Sequence, residues 1–377
     1  MSAWPGKYVI GLTGNIATGK SVVRKMMEHL GAYGIDADAL GHRAIASDAP
    51  GYKPVLETFG KWILAADGQI DRTRLARIVF SDPEALEQLE AIVHPLVGQA
   101  VDILVRRSKQ KIIVIEAIKL IESDLVSKCD SLWVTYTPKD IQLARLMHKR
   151  GMNEKAASQR IEAQPPQEMK TAAARVVIRN SKSFEDTWRQ VNIAWQKTFP
   201  MAEAEMEPVV KPAKGQMSVE RARPRQAGEI ASLINNLSEG RRNVNRGDIM
   251  AAFGEKAYLL LNLDDKTVGV VGWKVENLVA RIDEVYLKAG IASEPALQTL
   301  MNEVEQASRE LQCEVSLVFL PADFARRETA FRTLGYQQRT VQSLGVRPWQ
   351  EAAIESMPAG SVMLFKQLRR DRVLRPV

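Results

Sequence analysis

The clearest chemistry in the 377-residue chain sits in Gly14-Asn15-Ile16-Ala17-Thr18-Gly19-Lys20-Ser21. This run fits G-x-x-x-x-G-K-[ST] at every fixed position. Its glycines allow tight turning and a close approach that side chains would block. Successive N–H groups then face an anion, with the positive end of the following helix behind them. Lys20 brings a point charge to the β- and γ-phosphates of ATP, and the Ser21 hydroxyl is a ligand for Mg²⁺. The run therefore predicts a nucleotide site, but it does not name the reaction.

A second candidate lies a few residues downstream, in Ile35-Asp36-Ala37-Asp38. A carboxylate at the C-terminal edge of a parallel sheet faces the same crevice as the phosphate loop. Asp36 in that place takes the proton of a substrate hydroxyl, or positions that hydroxyl and the metal. The competing reading is a helix cap. Further on, Arg145, Lys149, Arg150 and Arg160 form a basic series on a helical pattern. They read as an arm that closes over phosphates and excludes water, or as a solvated basic face.

The elements that position these residues follow from periodicity. Residues 8–12, 111–115, 132–136 and 176–178 are short apolar runs, as expected of strands buried on both faces. Helical patterns lie between them at 21–30, 82–92 and 139–149. Alternating strands and helices imply a parallel sheet wrapped by helices. Residues 201–217, with two prolines and no periodicity, read as a linker. Residues 218–377 read as a second domain. Its expected order is a strand, two helices, a hairpin over 257–263 and 267–273, a strand at 280–287, a helix at 295–311, a strand at 314–320, a helix at 326–334 and a closing strand.

Composition narrows the class. The chain is 45% hydrophobic and 26% charged, which excludes disorder over most of its length. The net charge of +7 suits an enzyme of anionic phosphates. Cys129 and Cys313 belong to no CxxC, so neither a disulfide framework nor a structural zinc is expected, and both read as small buried hydrophobes. The start has no signal-peptide layout, and no run of about 20 apolar residues predicts a membrane span. A cytoplasmic protein with no nucleic-acid or membrane partner is the expectation.

With GLTGNIATGKS go GAYGIDADALGHRAI, FGKWILAADGQIDRTRLARIVFSDPEALEQLEAIVHPLV, RLMHKRGMNEKAASQRIEAQ and VVIRNS. Together these resemble the dephospho-coenzyme A kinases over roughly residues 7–195. The resemblance implies a P-loop NTPase-type α/β fold for residues 1–200. It also implies transfer of the ATP γ-phosphoryl group to the ribose 3′-hydroxyl of dephospho-coenzyme A, with Mg²⁺. By position it places phosphates on residues 14–21 and metal on Ser21. Lys20, Asp36 and Arg145 become catalytic, with Asp36 as base or hydroxyl-positioning group. Arg145, Arg160 and Asn180 fall on the ATP side, Asn180 near adenine. Asp36, Asp38, Asp71, Arg72 and His94 fall towards the acceptor, although His94 before Pro95 also reads as a structural histidine.

The chain departs from that family in places. The usual acid-x-P-L-L-F-E appears as Glu116-Ala117-Ile118-Lys119-Leu120-Ile121-Glu122, and an acid is replaced by Arg175. Two other readings therefore stay open: a nucleotide-sensing binding protein, and a kinase of another hydroxyl substrate. Residues 218–377 resemble the GNAT acyl-coenzyme A transferase fold, an α+β domain with a mostly antiparallel sheet. That resemblance implies coenzyme A or an acyl-coenzyme A as a ligand there. The pyrophosphate loop expected of that fold reads Lys288-Ala289-Gly290-Ile291-Ala292-Ser293 and keeps one glycine. Glu284 and Tyr286 are the candidate base and acid, or simply alternating strand residues.

Overall fold

The computed structural model describes residues 3–200, 215–238, 240–264, 266–321, 325–369 and 373. The expected linker falls outside them over 201–214, as do the side chains of Lys149 and Arg150.

Strands β1 (Tyr8–Thr13), β2 (Tyr33–Asp36), β3 (Ile112–Glu116), β4 (Ser131–Tyr136) and β5 (Val176–Arg179) form a parallel sheet in the order β2-β3-β1-β4-β5. Around it lie α1 (Lys20–His29), α2 (Ala37–Ala44), α3 (Tyr52–Phe59), α4 (Arg72–Ser81), α5 (Pro83–Arg107), α6 (Lys139–Arg150), α7 (Glu154–Glu162), α8 (Gln167–Ala173) and α9 (Phe184–Thr198). The central strands alternate between two cores. Val9, Ile113 and Ile115 point into one with Ala100, Val101 and Leu104 of α5. Ile10, Leu12 and Val114 point into the other with Val23, Met26 and Met27 of α1 and Trp195 of α9. Leu12→Ala in the second core is expected to cost about 2–5 kcal/mol. Guanidinium titration reads this as a lower midpoint at unchanged slope.

Helix α5 differs from its expected end at residue 92. It runs on through Pro95 to Arg107. Beyond the proline, Val97, Ala100, Val101 and Leu104 recur at helical spacing and are buried in the core. Their burial outweighs the one lost backbone bond. Among the described residues, α5 is the one helix long and apolar enough by composition to cross a membrane. Here its apolar stripe lies against the sheet and α2.

The second sheet contains β6 (Met217–Arg221), β7 (Ala257–Leu263), β8 (Lys266–Glu276), β9 (Val279–Leu287), β10 (Val315–Pro321), β11 (Gln337–Gln338) and β12 (Ser361–Gln367), ordered β11-β12-β10-β9-β8-β7-β6. It is antiparallel except for β9 and β10, which pair in parallel only from Val279–Val315 to Ile282–Val318. Helices α10 (Ala227–Leu237), α11 (Arg246–Ala252), α12 (Ser293–Glu310), α13 (Ala325–Thr333) and α14 (Arg347–Ser356) accompany it. The order read from the sequence is present, with α14 and the short β11 inserted before the closing strand. Both cysteines are free. Cys313 is buried, and Cys129 is half-buried with its thiol against the Leu125 carbonyl at 3.2 Å. Burial pushes the Cys129 thiol up to about 12 and raises the Cys313 thiol too.

The two halves meet at the tip of the β8–β9 hairpin. Asn277 and Leu278 there both have positive φ, 51° and 60°. Such a pair makes a turn whose twist matches the strands, and glycine is its usual occupant. A leucine in that conformation costs about 1–3 kcal/mol. The offset is burial: Leu278 is 8% exposed and packs into the first half's core with Trp4, Tyr33, Leu40 and Leu104. Around it, Lys25 donates to the Val275 carbonyl at 2.9 Å, and Arg43 to the Asn277 carbonyl at 2.6 Å. His29 faces the Phe253 carbonyl across 2.9 Å.

Candidate functional site

The loop of residues 14–19 leaves the central strand β1 and enters α1. A Cβ on Gly14 would lie 2.3 Å from Thr135 Oγ1, and one on Gly19 would lie 2.0 Å from Asn180 Nδ2. Gly19 also holds φ +87° as the N-cap of α1, where no side chain caps the helix. The uncapped amides leave the positive helix end available to an anion. Thr18 Oγ1 donates to the Asn15 carbonyl at 2.8 Å and meets Thr135 Oγ1 at 2.7 Å, which fixes the curve. Lys20 is buried, with Nζ donating to the Gly14 carbonyl at 3.1 Å and the Asn15 carbonyl at 3.4 Å. Its ammonium thus lies over the loop. Gly19→Ala is expected to abolish nucleotide binding, because both the space and the backbone angle are denied. Calorimetry with ATP checks it.

Parallel pairing brings the acids together. Asp36 ends β2 opposite Glu116 at the end of β3 in register, and Glu116 pairs with Leu12 on the other side. Glu116 is 3% exposed and accepts from Ser21 Oγ at 2.8 Å and from Arg24 Nε at 2.6 Å. Asp36 does cap α2, through the Ala39 amide at 2.8 Å. The two readings of that residue therefore coexist, because one carboxylate oxygen is enough for the cap. Burial, and then the charge of Glu116, push the Asp36 carboxyl up to about 6. Asp38 accepts from the Ile118 amide at 3.0 Å, and burial raises its pKa too. Ile118 stands where the resembling family has proline, so this chain gains a donor that proline lacks. The Ile118 carbonyl accepts from Thr13 Oγ1 at 3.0 Å and Lys170 Nζ at 2.6 Å.

The arm of α6 to α8 closes the other side. Arg145 donates to the Ala17 carbonyl at 3.1 Å and to the Asn180 carbonyl at 2.8 Å. Asn180 Nδ2 donates to the Thr18 carbonyl at 3.0 Å, and its Oδ1 accepts from Thr187. Gln164 Oε1 accepts the Ile16 amide at 2.7 Å, and Asn15 Nδ2 donates to the Pro165 carbonyl at 2.8 Å.

The structure thus brings residues 14–21, Asp36, Asp38, Arg145 and Asn180 to one end of the sheet, Asp36 by strand register with Glu116 and the others through hydrogen bonds. The other expected residues have local tasks. Asp71 caps α4 through the Thr73 and Arg74 amides, and Arg72 is exposed and paired with Glu351 of the second half at 3.3 Å. His94 is exposed on α5, and Arg160 is exposed on α7. Sequence reasoning named Glu116 only as the acid of an altered family stretch and gave it no site role, and it passed over Arg24, Lys170 and Gln164. Glu116 had a signal, being the acid that ends an apolar run beside the Asp36 strand.

In the second half, Glu284 of β9 is buried and meets Arg242 at 2.9 Å and Lys256 at 3.2 Å. Tyr286 is half-buried on the same strand.

The sequence model of the dephospho-CoA kinases matches residues 8–186. A dephospho-CoA kinase of Geobacter sulfurreducens is 39% identical over 195 residues, which are 51% of this chain and 99% of that protein. A solved Thermus thermophilus protein is 31% identical, over 51% of this chain and 97% of its own, with a TM-score of 0.46. A GNAT-family acetyltransferase of Staphylococcus aureus aligns with 41% of this chain and 100% of its own at 12% identity, with a TM-score of 0.34. Through its first half, whose phosphate loop and paired strand-end acids have just been described, this chain belongs to the dephospho-CoA kinase family.

Proposed function

We propose that the chain transfers the γ-phosphoryl group of ATP to the ribose 3′-hydroxyl of dephospho-coenzyme A, giving coenzyme A and ADP. The observation that carries the reading is the register of β2, β3 and β1. It sets Asp36 and Glu116 side by side at the mouth of the phosphate loop. Phosphoryl transfer requires positioning and charge neutralisation more than covalent chemistry. Asp36 takes the proton of the attacking hydroxyl, whose oxygen bonds to the γ-phosphorus while the bond to the β-γ bridging oxygen breaks. Lys20 and the loop amides hold the charge that develops on the leaving ADP.

Mg²⁺, when bound, would neutralise charge on the phosphates of ATP. Among the described residues no cluster of three acidic, histidine or cysteine side chains forms a cage. Ser21 with Glu116, 2.8 Å away, offers a hydroxyl and a carboxylate instead. That hard, sparse donor set suits an ion that keeps waters and leans on substrate phosphates. Arg145 and Arg160 act on the phosphates, and Asn180 shapes the loop on the adenine side. By the family resemblance, Asp38, Asp71, Arg72 and His94 lie towards the acceptor. The kinase domain is assigned to 1–200 and the second domain to 218–377, in a cytoplasmic enzyme. Purified chain with ATP, Mg²⁺ and dephospho-coenzyme A should yield equal amounts of ADP and coenzyme A. Bound ATP with no ADP from that acceptor would reject the assignment.

A further inference from the structure

We propose that Arg43 is a positioning residue for phosphoryl transfer. Through the β8–β9 hairpin tip it holds the Asp36-bearing helix α2 at a fixed distance from the phosphate-loop helix α1. The kinetic part of this inference rests on the kinase reading above.

Two cations, one from each helix that carries the chemistry, end on carbonyls of the same turn. Lys25 of α1 takes Val275, and Arg43 of α2 takes Asn277. The turn cannot drift, because Leu278 is buried in the core of the first half. Nor can Arg43. Its side chain is 4% exposed and also pairs with Glu314 Oε1 at 2.7 Å, while Glu314 Oε2 accepts from Trp349 Nε1 at 3.0 Å. Asp36 is the N-cap of α2, and Arg43 lies in the last turn of that helix. A helix of eight residues is about 12 Å long and moves as a rod. A pin at one end therefore sets the other. A cavity lined by Asp36 of β2 and by Arg24 and Glu28 of α1 is also lined by Val275–Leu278 of the hairpin. The second half thus completes the frame in which the acceptor hydroxyl meets the γ-phosphorus. Misplacement by about 1 Å costs such a reaction about 100-fold.

The test uses the full chain and the double variant Arg43→Met with Glu314→Gln, which removes the pin without stranding a buried carboxylate. Its kcat/KM for dephospho-coenzyme A should fall by about 10- to 100-fold, through both kcat and acceptor KM. ATP affinity by calorimetry should stay within about twofold, because the phosphate loop is untouched. Arg43→Lys keeps a charge for Glu314 but cannot span both partners, so it should give an intermediate loss and partial rescue. Wild-type kcat and acceptor KM in the double variant would overturn the proposal. So would a parallel loss of ATP binding and turnover that tracks the folded fraction, which would make Arg43 a stability residue only. If the double variant does not fold, Arg43→Lys decides by the same criteria. Amide exchange over residues 36–44 reads the pin without turnover. Faster exchange there in the variants upholds it even if wild-type chain proves inert towards dephospho-coenzyme A, a result that would reject the kinase reading alone.

Discussion

Replacing Lys20 by methionine is expected to lower the rate of ADP formation about 1,000-fold, the scale of losing one preorganised charge at a transition state. Methionine keeps the length and apolar stem of the side chain, so the buried site remains filled. What it removes is the ammonium that lies over the Gly14 and Asn15 carbonyls. During transfer, negative charge gathers on the oxygens that link and flank the β-phosphate. No other ammonium lies as close to the loop in the hydrogen bonds described above, since Lys170 is committed to the Ile118 carbonyl. Initial-rate measurements with saturating ATP and acceptor check the effect. Turnover within tenfold of wild type would place the phosphates somewhere other than residues 14–21.

Asp36→Asn is expected to lower kcat by about 100- to 10,000-fold, the range for a lost general base. ATP should bind as before. Asparagine still accepts from the Ala39 amide, so α2 keeps its cap and the loss is not one of folding. The pH profile supplies a second handle. Burial, with Glu116 adding its charge, raises the Asp36 carboxyl to about 6. The base works only when ionised. Activity is therefore full above that value and falls as the pH drops through it, about two pH units above the fall expected of an ordinary aspartate. Glu116→Gln removes the like charge and should move the limb to lower pH. A wild-type limb near pH 4 would show that the titrating carboxyl is not raised by burial.

Much of this site was legible before any coordinates. The loop was readable because each fixed position answers to a local demand: glycine for backbone angle, lysine for charge, serine for a hydroxyl. Asp36 was readable because an acid ending a strand faces the sheet's open edge. Glu116 obeys the same rule, yet its partner Arg24 sits on helix α1, and only tertiary packing brings the two together. Helix α5 was read short because a proline is a local signal, while the burial that carries the helix past it is tertiary. The hairpin tip was equally hidden. Asn277-Leu278 has no glycine to mark a turn, and its reason lies in a core built from the first third of the chain. Asp71, Arg72, His94 and Arg160 were assigned by resemblance alone. Nothing in their own spacing fixes whether they meet the acceptor.

The two sequestered sulfurs have a bearing on the chemistry of the product. Coenzyme A ends in a free sulfhydryl, and an enzyme releasing it works in a pool of a reagent that can cap accessible cysteines as mixed disulfides. Exchange needs a thiolate. With Cys129 ionising only near 12 and Cys313 enclosed, neither offers one at neutral pH. Neither cysteine is therefore a ready partner for the sulfhydryl that the enzyme releases.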